Sequence, residues 1–225
     1  MGPVLILGQL SIEETGKIME IAKFINIRPY LYHLTFAENV SKILEHKKLF
    51  SANKIMGMSS NNNFIREKRT SHIPIIIGDK TYWLRDQQPI SEKALAKCLT
   101  NNWTCNDFFE HLNNRVFTWP TLDRLKRHFN RYCYEKPLIL RFDTALSLEL
   151  NSHVEFCRLN SGATRANSFL GGIPPFRGID TFVSSENYFY SPGSVAEVVF
   201  EDEFILPNEF SIGSNPEGKW KNVEL

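Results

Sequence analysis

The sequence predicts an α+β fold, and three observations carry that expectation. Helical periodicity gathers in the first half of the chain, short strand-like runs take over from Leu138 onward, and neither a repeat nor a sharp composition shift divides the 225 residues. At 42% hydrophobic and 23% charged residues the composition is globular, and a chain of this length buries roughly 70% of its unfolded surface without a disulfide or metal staple. One domain over residues 1–225 is expected, with helices mainly from the N-terminal half and residues 1–28 forming an extension that carries a helix.

Each element has a local reason. Ser11 and Glu14 have capping-box spacing, and Ile18, Ile21, Ala22 and Ile25 recur at helical spacing, which predicts a helix over 12–26 ended by Pro29. Residues 31–34 read as a strand. Thr35 with Glu38 forms a second capping box that opens a helix through Lys47, with Val40, Ile43 and Leu44 inward. Residues 51–72, rich in Ser, Asn, Lys and Arg and weakly periodic, predict a mobile loop. A strand over 73–77 turns at Gly78 and Asp79, Ser91 caps a helix over 92–99, and a further helix covers 106–114. A strand over 115–118 ends at Trp119 and Pro120. Thr121 then opens a helix through Arg131 in which Leu122, Leu125 and Phe129 face the core while Arg124, Arg127 and Arg131 share the opposite face. Strands follow over 138–142, 153–157, 181–183, 195–200 and 204–206.

Composition and motifs exclude several classes. The 26 basic and 25 acidic side chains leave a net charge of +1, too little for a protein that coats nucleic acid by bulk electrostatics. Cys98, Cys105, Cys133 and Cys157 lie far apart without a CxxC pair, which excludes a zinc knuckle or dithiol motif and fits reduced thiols in a cytosolic protein. No run of 18 apolar residues exists, and the apolar start over 3–10 is short and lacks a cationic flank, so the expected location is cytoplasmic, without a membrane partner. A P-loop, GxGxxG, GxSxG elbow and HExxH are all missing.

A dispersed constellation remains. Tyr32-His33-Leu34-Thr35 with Asn39 behind it, then Arg115-Val116-Phe117-Thr118-Trp119-Pro120, then Val195-Ala196-Glu197-Val198-Val199, follow one another over residues 30–212. In order and spacing they resemble the DarT-like ADP-ribosyltransferases. The blocks LYHLT, LRDQ, RVFTWP, NSGAT and DTF are similar to those of a group of prokaryotic proteins and of the CmdT-like ADP-ribosyltransferase toxins of phage defence, which modify mRNA.

The resemblance implies small antiparallel sheets split around a cleft for NAD, used as co-substrate without a metal. It implies Glu197 as the catalytic carboxylate, His33 and Thr35 on the nicotinamide riboside, and Asn39 in support of that pocket. An arginine should meet the diphosphate, and Arg85 is the choice, with Arg66 and Arg69 as competitors; Arg115 is either structural or a further contact to NAD. The acceptor implied is nucleic acid, RNA first, with DNA bases and protein side chains open. The protein would be a toxin of a phage-defence or toxin–antitoxin system, with an antitoxin and a chaperone as partners.

The residue types suit such chemistry. Cleaving a nicotinamide glycosidic bond through an oxocarbenium-like state calls for a carboxylate near the ribose, donors to fix the ribose and amide, and a cation for the diphosphate. Glu197 is in phase with Val195 and Val199; on a buried face its pKa would rise toward that of a useful base. The alternatives are plain. Glu197 can face solvent on an edge strand, His33 can be a satisfied core histidine, Thr35 an N-cap, Arg85 a surface partner of Asp86 or Asp79, and residues 160–164 a turn.

Arg124, Arg127 and Arg131, with Lys126, His128, Arg66, Lys68 and Arg69, form either a phosphate-tracking groove beside Tyr132 and Tyr134 or an ordinary solvated face. Two rival functions stand beside the transferase: a noncatalytic nucleotide- or RNA-binding module, and a metal-independent ribonuclease toxin built on His33, Glu197 and Arg115.

Overall fold

The structure is a computed structural model that describes residues 18–59, 65–166 and 170–225. Among them the chain runs α1 (Ile21–Ile27), β1 (Tyr30–Thr35), α2 (Val40–His46), β2 (Lys48–Phe50), α3 (Ala52–Met58), β3 (Ile73–Ile77), β4 (Lys80–Leu84), α4 (Glu92–Leu95), α5 (Cys105–Asn113), β5 (Arg115–Thr118), α6 (Leu122–Tyr132), β6 (Leu138–Asp143), α7 (Thr144–Leu150), β7 (Val154–Cys157), β8 (Glu197–Glu201), β9 (Glu203–Ile205), β10 (Glu209–Gly213) and β11 (Lys221–Glu224). The result is a mixed α+β fold with several small antiparallel sheets.

Two of those sheets place the site. One has the order β1-β6-β10-β11, and the other has β8 at its centre between β5 and β7. They meet at a single antiparallel bridge between Tyr32 and Trp119, closed by main-chain bonds of 2.9 and 2.8 Å. The central strand is apolar on both faces: Val198 and Phe200 enter one core cluster with Phe156 and Phe204, while Val199 enters another with Phe108, Phe109 and Leu112. The apolar middle of the strand is buried between its two neighbours, and Glu197 at its start shares that burial at 3% exposure, while Glu201 at its end reaches water.

Several expectations change. The capping box at Ser11 and Glu14 lies outside the described residues, and the first helix begins at Ile21; its Phe24 is buried and meets Phe156 edge-on at 5.5 Å, so the helix belongs to the core. Thr35 caps nothing, because its strand pairs through to Leu138 and a 3₁₀ turn over Ala37–Asn39 follows Phe36. Much of the expected loop is ordered: Ser51 accepts a bond from the Lys54 amide and caps α3, whose Ile55 and Met56 are buried. Asn61, Asn62 and Asn63 lie outside the described residues.

The strand expected over 181–183 is a 3₁₀ turn followed by one bridge, Val183 to Phe156. The late strand starts at Glu197, since a 3₁₀ turn over Pro192–Ser194 takes up the chain before it. Val195 therefore packs in the first cluster, out of phase with Val199. Beyond the expectation, β4 completes a hairpin with β3, α7 stands in the strand-rich half, and β10 and β11 extend the first sheet. The four cysteines are free, and no helix among the described residues is long and apolar enough to cross a membrane.

Candidate functional site

Where β1 and β5 diverge from the Tyr32–Trp119 bridge, a cleft of about 430 Å³ opens, within the range of small-molecule sites. Glu197 at the start of β8 forms part of its wall. The Ser161 amide donates to its Oε2 at 2.9 Å. Burial pushes the carboxyl pKa up, while the Ser161 bonds and the charges of Arg177 and Arg124 pull against that rise. A central strand position removes the edge-strand reading of this residue.

His33 spans the divergence. Its Nδ1 lies 2.8 Å from the Phe117 carbonyl, which only accepts, so Nδ1 carries the proton and Nε2 keeps a lone pair. Burial lowers its pKa to about 4, Arg85 adds to the effect, and the Phe117 bond opposes it, so the ring is neutral. His128 packs tilted against Trp119 with centroids 4.5 Å apart, and burial, followed by Arg85, His33 and Arg131, takes its pKa to about 3.

Arg85 lines the same cleft. Its guanidinium is sandwiched between the rings of Phe36 (4.4 Å) and Tyr132 (4.2 Å), and Nη1 donates to Glu135 Oε2 at 2.9 Å. His72 Nε2 donates to the other Glu135 oxygen at 2.7 Å while the Asp86 amide donates to His72 Nδ1, which fixes that partner in turn. Nη2 of Arg85 is buried and has no hydrogen-bond partner among the described residues, a donor suited to a ligand oxygen.

The α6 arginines join this wall. Thr121 accepts from the Arg124 amide and starts the helix; Leu125 and Tyr132 face the core, and Arg124, Arg127 and Arg131 one stripe over line the cleft with Glu197. Arg124 is half-buried and close enough to Glu197 to feel its charge. Five arginines, neutral imidazoles and aromatic rings line this cleft with two carboxylates, Asp86 and the buried Glu197, an arrangement suited to an anion with a proton acceptor beside it.

Other expected residues lie elsewhere. Thr35 and Asn39 line a smaller adjoining cavity of about 160 Å³ that shares His33, Arg69 and Arg85 with the cleft. The Asn39 amide is already committed: it donates to the Trp83 carbonyl at 2.8 Å and accepts from the Trp83 amide at 2.9 Å, splicing the 3₁₀ turn onto β4. Arg115 does not line the cleft; its Nε donates to Glu155 at 2.6 Å, its Nη1 to His111, and its guanidinium lies over Phe182, a structural role.

Neither competitor for the diphosphate is free. Arg66 pairs with Asp107 and Glu110. Arg69 lines the cleft, yet it donates to Asn113 Oδ1 at 2.6 Å and the Arg85 carbonyl at 2.9 Å, and burial brings its pKa down to about 10. Lys126 pairs with Glu217, and Tyr134 is exposed outside the cleft.

Sequence reasoning missed Asn113, whose Oδ1 accepts from both Arg69 Nη1 and Gln87 Nε2, and it gave Ser161 no link to Glu197, 36 residues away. The signal available was the Asn-Ser-Gly turn, which points to a sharp loop without naming its partner. No curated protein and no solved structure matches this chain. Residues 29–209, which take in β1, the cleft and β8, match a family described as a family of unknown function, DUF7002, and the chain belongs to that family.

Proposed function

We propose that the protein is an NAD-dependent ADP-ribosyltransferase that transfers ADP-ribose to nucleic acid, with mRNA as the acceptor. The observation that carries this reading is the convergence of Glu197, His33, Arg85 and the three α6 arginines on one cleft between two separately built sheets. The split of the sheets at a single bridge agrees with the fold expected of such transferases.

The residues fit NAD on their chemistry. Arg124 and the unpartnered Nη2 of Arg85 would hold the diphosphate, and the Nε2 lone pair of His33 would accept a hydrogen bond from the nicotinamide riboside. When bound, NAD supplies a glycosidic bond whose cleavage leaves positive charge on the ribose. Glu197 offers a buried negative partner to that charge and, with its raised pKa, a base for the acceptor's proton. Arg127 and Arg131, exposed further along α6, would meet acceptor phosphates. In this reading the protein is a defence or toxin–antitoxin toxin, held in check by an antitoxin and assisted by a chaperone.

Labelled NAD offered with total RNA, single-stranded DNA or protein extract tests the proposal. Label should appear on RNA, fall about 10²–10³-fold in Glu197→Ala, and require about tenfold more NAD in Arg124→Ala, which loses a charge-assisted contact. Intact NAD with no label and no released nicotinamide overturns the transferase. Retained NAD would then leave a binding module, and RNA shortened without NAD a ribonuclease.

A further inference from the structure

Arg177 is 4% exposed, yet the hydrogen bonds of its guanidinium go to main-chain carbonyls. Nη2 donates to Asn160 at 2.8 Å and to Ala163 at 2.9 Å, Nε donates to Ala163 at 3.2 Å, and Nη1 to the adjacent Phe176 at 3.3 Å. Buried arginines ordinarily meet a carboxylate, whereas among the described residues the guanidinium bonds of this one end on carbonyl oxygens. A fork of donors spent on two carbonyls of a single turn is a clamp on that turn.

The clamp is itself anchored. The Arg177 amide donates to the Cys98 carbonyl at 2.8 Å, and the Thr100 amide and hydroxyl both donate to the Arg177 carbonyl, at 2.8 and 3.2 Å. At the next residue a Cβ on Gly178 would stand 2.2 Å from Thr100 Oγ1, so the two segments run in contact that only glycine allows without rearrangement. The Cys98 thiol donates to the Thr164 carbonyl at 2.9 Å and ties the far end of the same loop. What the loop offers the cleft is the Ser161 amide, 2.9 Å from Glu197 Oε2.

We propose that Arg177 is the positioning residue for Glu197: its grip on the Asn160 and Ala163 carbonyls sets the Ser161 amide against the carboxylate and its charge stands behind it. The role as a positioning residue rests on Glu197 being the catalytic carboxylate of the proposed transferase. Charged and titratable groups facing Glu197 are Arg177, Arg124 and the Cys157 thiol, its register partner on β7. Arg177 and Arg124 hold the carboxyl down against burial, so loss of Arg177 releases part of that restraint.

Arg177→Lys and Arg177→Met in the full chain separate grip from charge. Three quantities are read: the Glu197 carboxyl titration by carbon-13 NMR, assigned by its loss in Glu197→Gln; kcat and KM for NAD consumption; and the thermal midpoint. Lysine keeps the charge and loses the fork, so the Ser161 amide is no longer set against Glu197: kcat falls on the order of 100-fold with KM unchanged, and the Glu197 titration moves to higher pH. Methionine loses both: kcat falls similarly, and the titration of Glu197 and the acid limb of kcat move to higher pH than in the lysine variant, because the charge is gone as well. If the methionine variant does not fold, the lysine variant alone decides by its kcat against KM.

Native kcat in the lysine variant, or a loss that disappears when each variant is assayed well below its melting point, overturns the inference and leaves the transferase standing. If the native protein consumes no NAD, the proposed function falls and the titration decides for the clamp: an unmoved Glu197 in the folded methionine variant overturns it as well.

Discussion

For a carboxyl group at 3% exposure with a main-chain amide as its bonded partner, ionising carries a cost, because burial favours the neutral acid. The folded pKa of Glu197 lies above the ordinary value, so folding is favoured below the unfolded carboxyl pKa and loses stability as pH rises through the folded one. Glu197→Gln keeps the shape and can accept the same Ser161 bond. It should therefore melt at a higher temperature than the native protein at pH 7, with the gap closing below about pH 4. Equal midpoints at pH 7 would show the carboxylate fully compensated and remove burial as the source of its pKa. Glu197 and His33 were legible through the order of the sequence blocks that carry them, whereas alternation misplaced the phase of the late strand, Val195 packing apart from Val199. Arg115 was not, because what commits it is Glu155, 40 residues further on, and no local pattern announces such a partner.

Helix α6 shows how far an element can be read. Its Thr121 cap, its apolar stripe and its three-arginine stripe all stand in the sequence, and the structure places them as that periodicity requires. What the pattern left open was the surroundings of the arginine stripe: a polar helix face looks the same whether it meets bulk water or a cleft with a buried carboxylate. Thr121→Ala removes the acceptor for the Arg124 amide and should cost about 1 kcal/mol, seen as a lower urea midpoint at unchanged m value. An unchanged midpoint would mean that packing alone sets the helix start. The false box at Thr35 makes the complementary point. Thr35 and Glu38 have the right spacing, yet pairing of Thr35 with Leu138 prolongs the strand and prevails over a local cap. Helix α3 escaped notice because seven residues give only two buried apolar positions, too few to establish a period.

At the scale of the molecule the α+β class was legible and the pairing of strands was not: β1 finds β6 across more than 100 residues, and β8 inserts between β5 and β7, both earlier in the chain. The joints between these units hold neutral histidines. His33 bonds across the divergence of the two sheets, His128 packs against Trp119 where α6 covers the bridge, and His111 accepts from Arg115 Nη1 between α5 and β5. Their pKa values fall to about 4, 3 and 3, burial being the first cause in each case and nearby arginines the next or a later one. Depressed folded values mean that the unfolded chain binds these protons first, so their contribution is complete above the unfolded pKa of about 6.5 and is lost as pH falls toward the folded values. Each histidine removes at most about 1.4 kcal/mol per pH unit across that window. The lowered carboxyls of Asp107 and Glu135 act in the same direction further into acid, while Glu197 opposes them. Unfolding free energy measured in urea should therefore fall between pH 7 and pH 5 with a slope of more than one proton, and His128→Gln should reduce that slope. A flat profile over this interval would mean that the three rings are charged in the folded protein, and with them the neutral lining assigned to the cleft would fall.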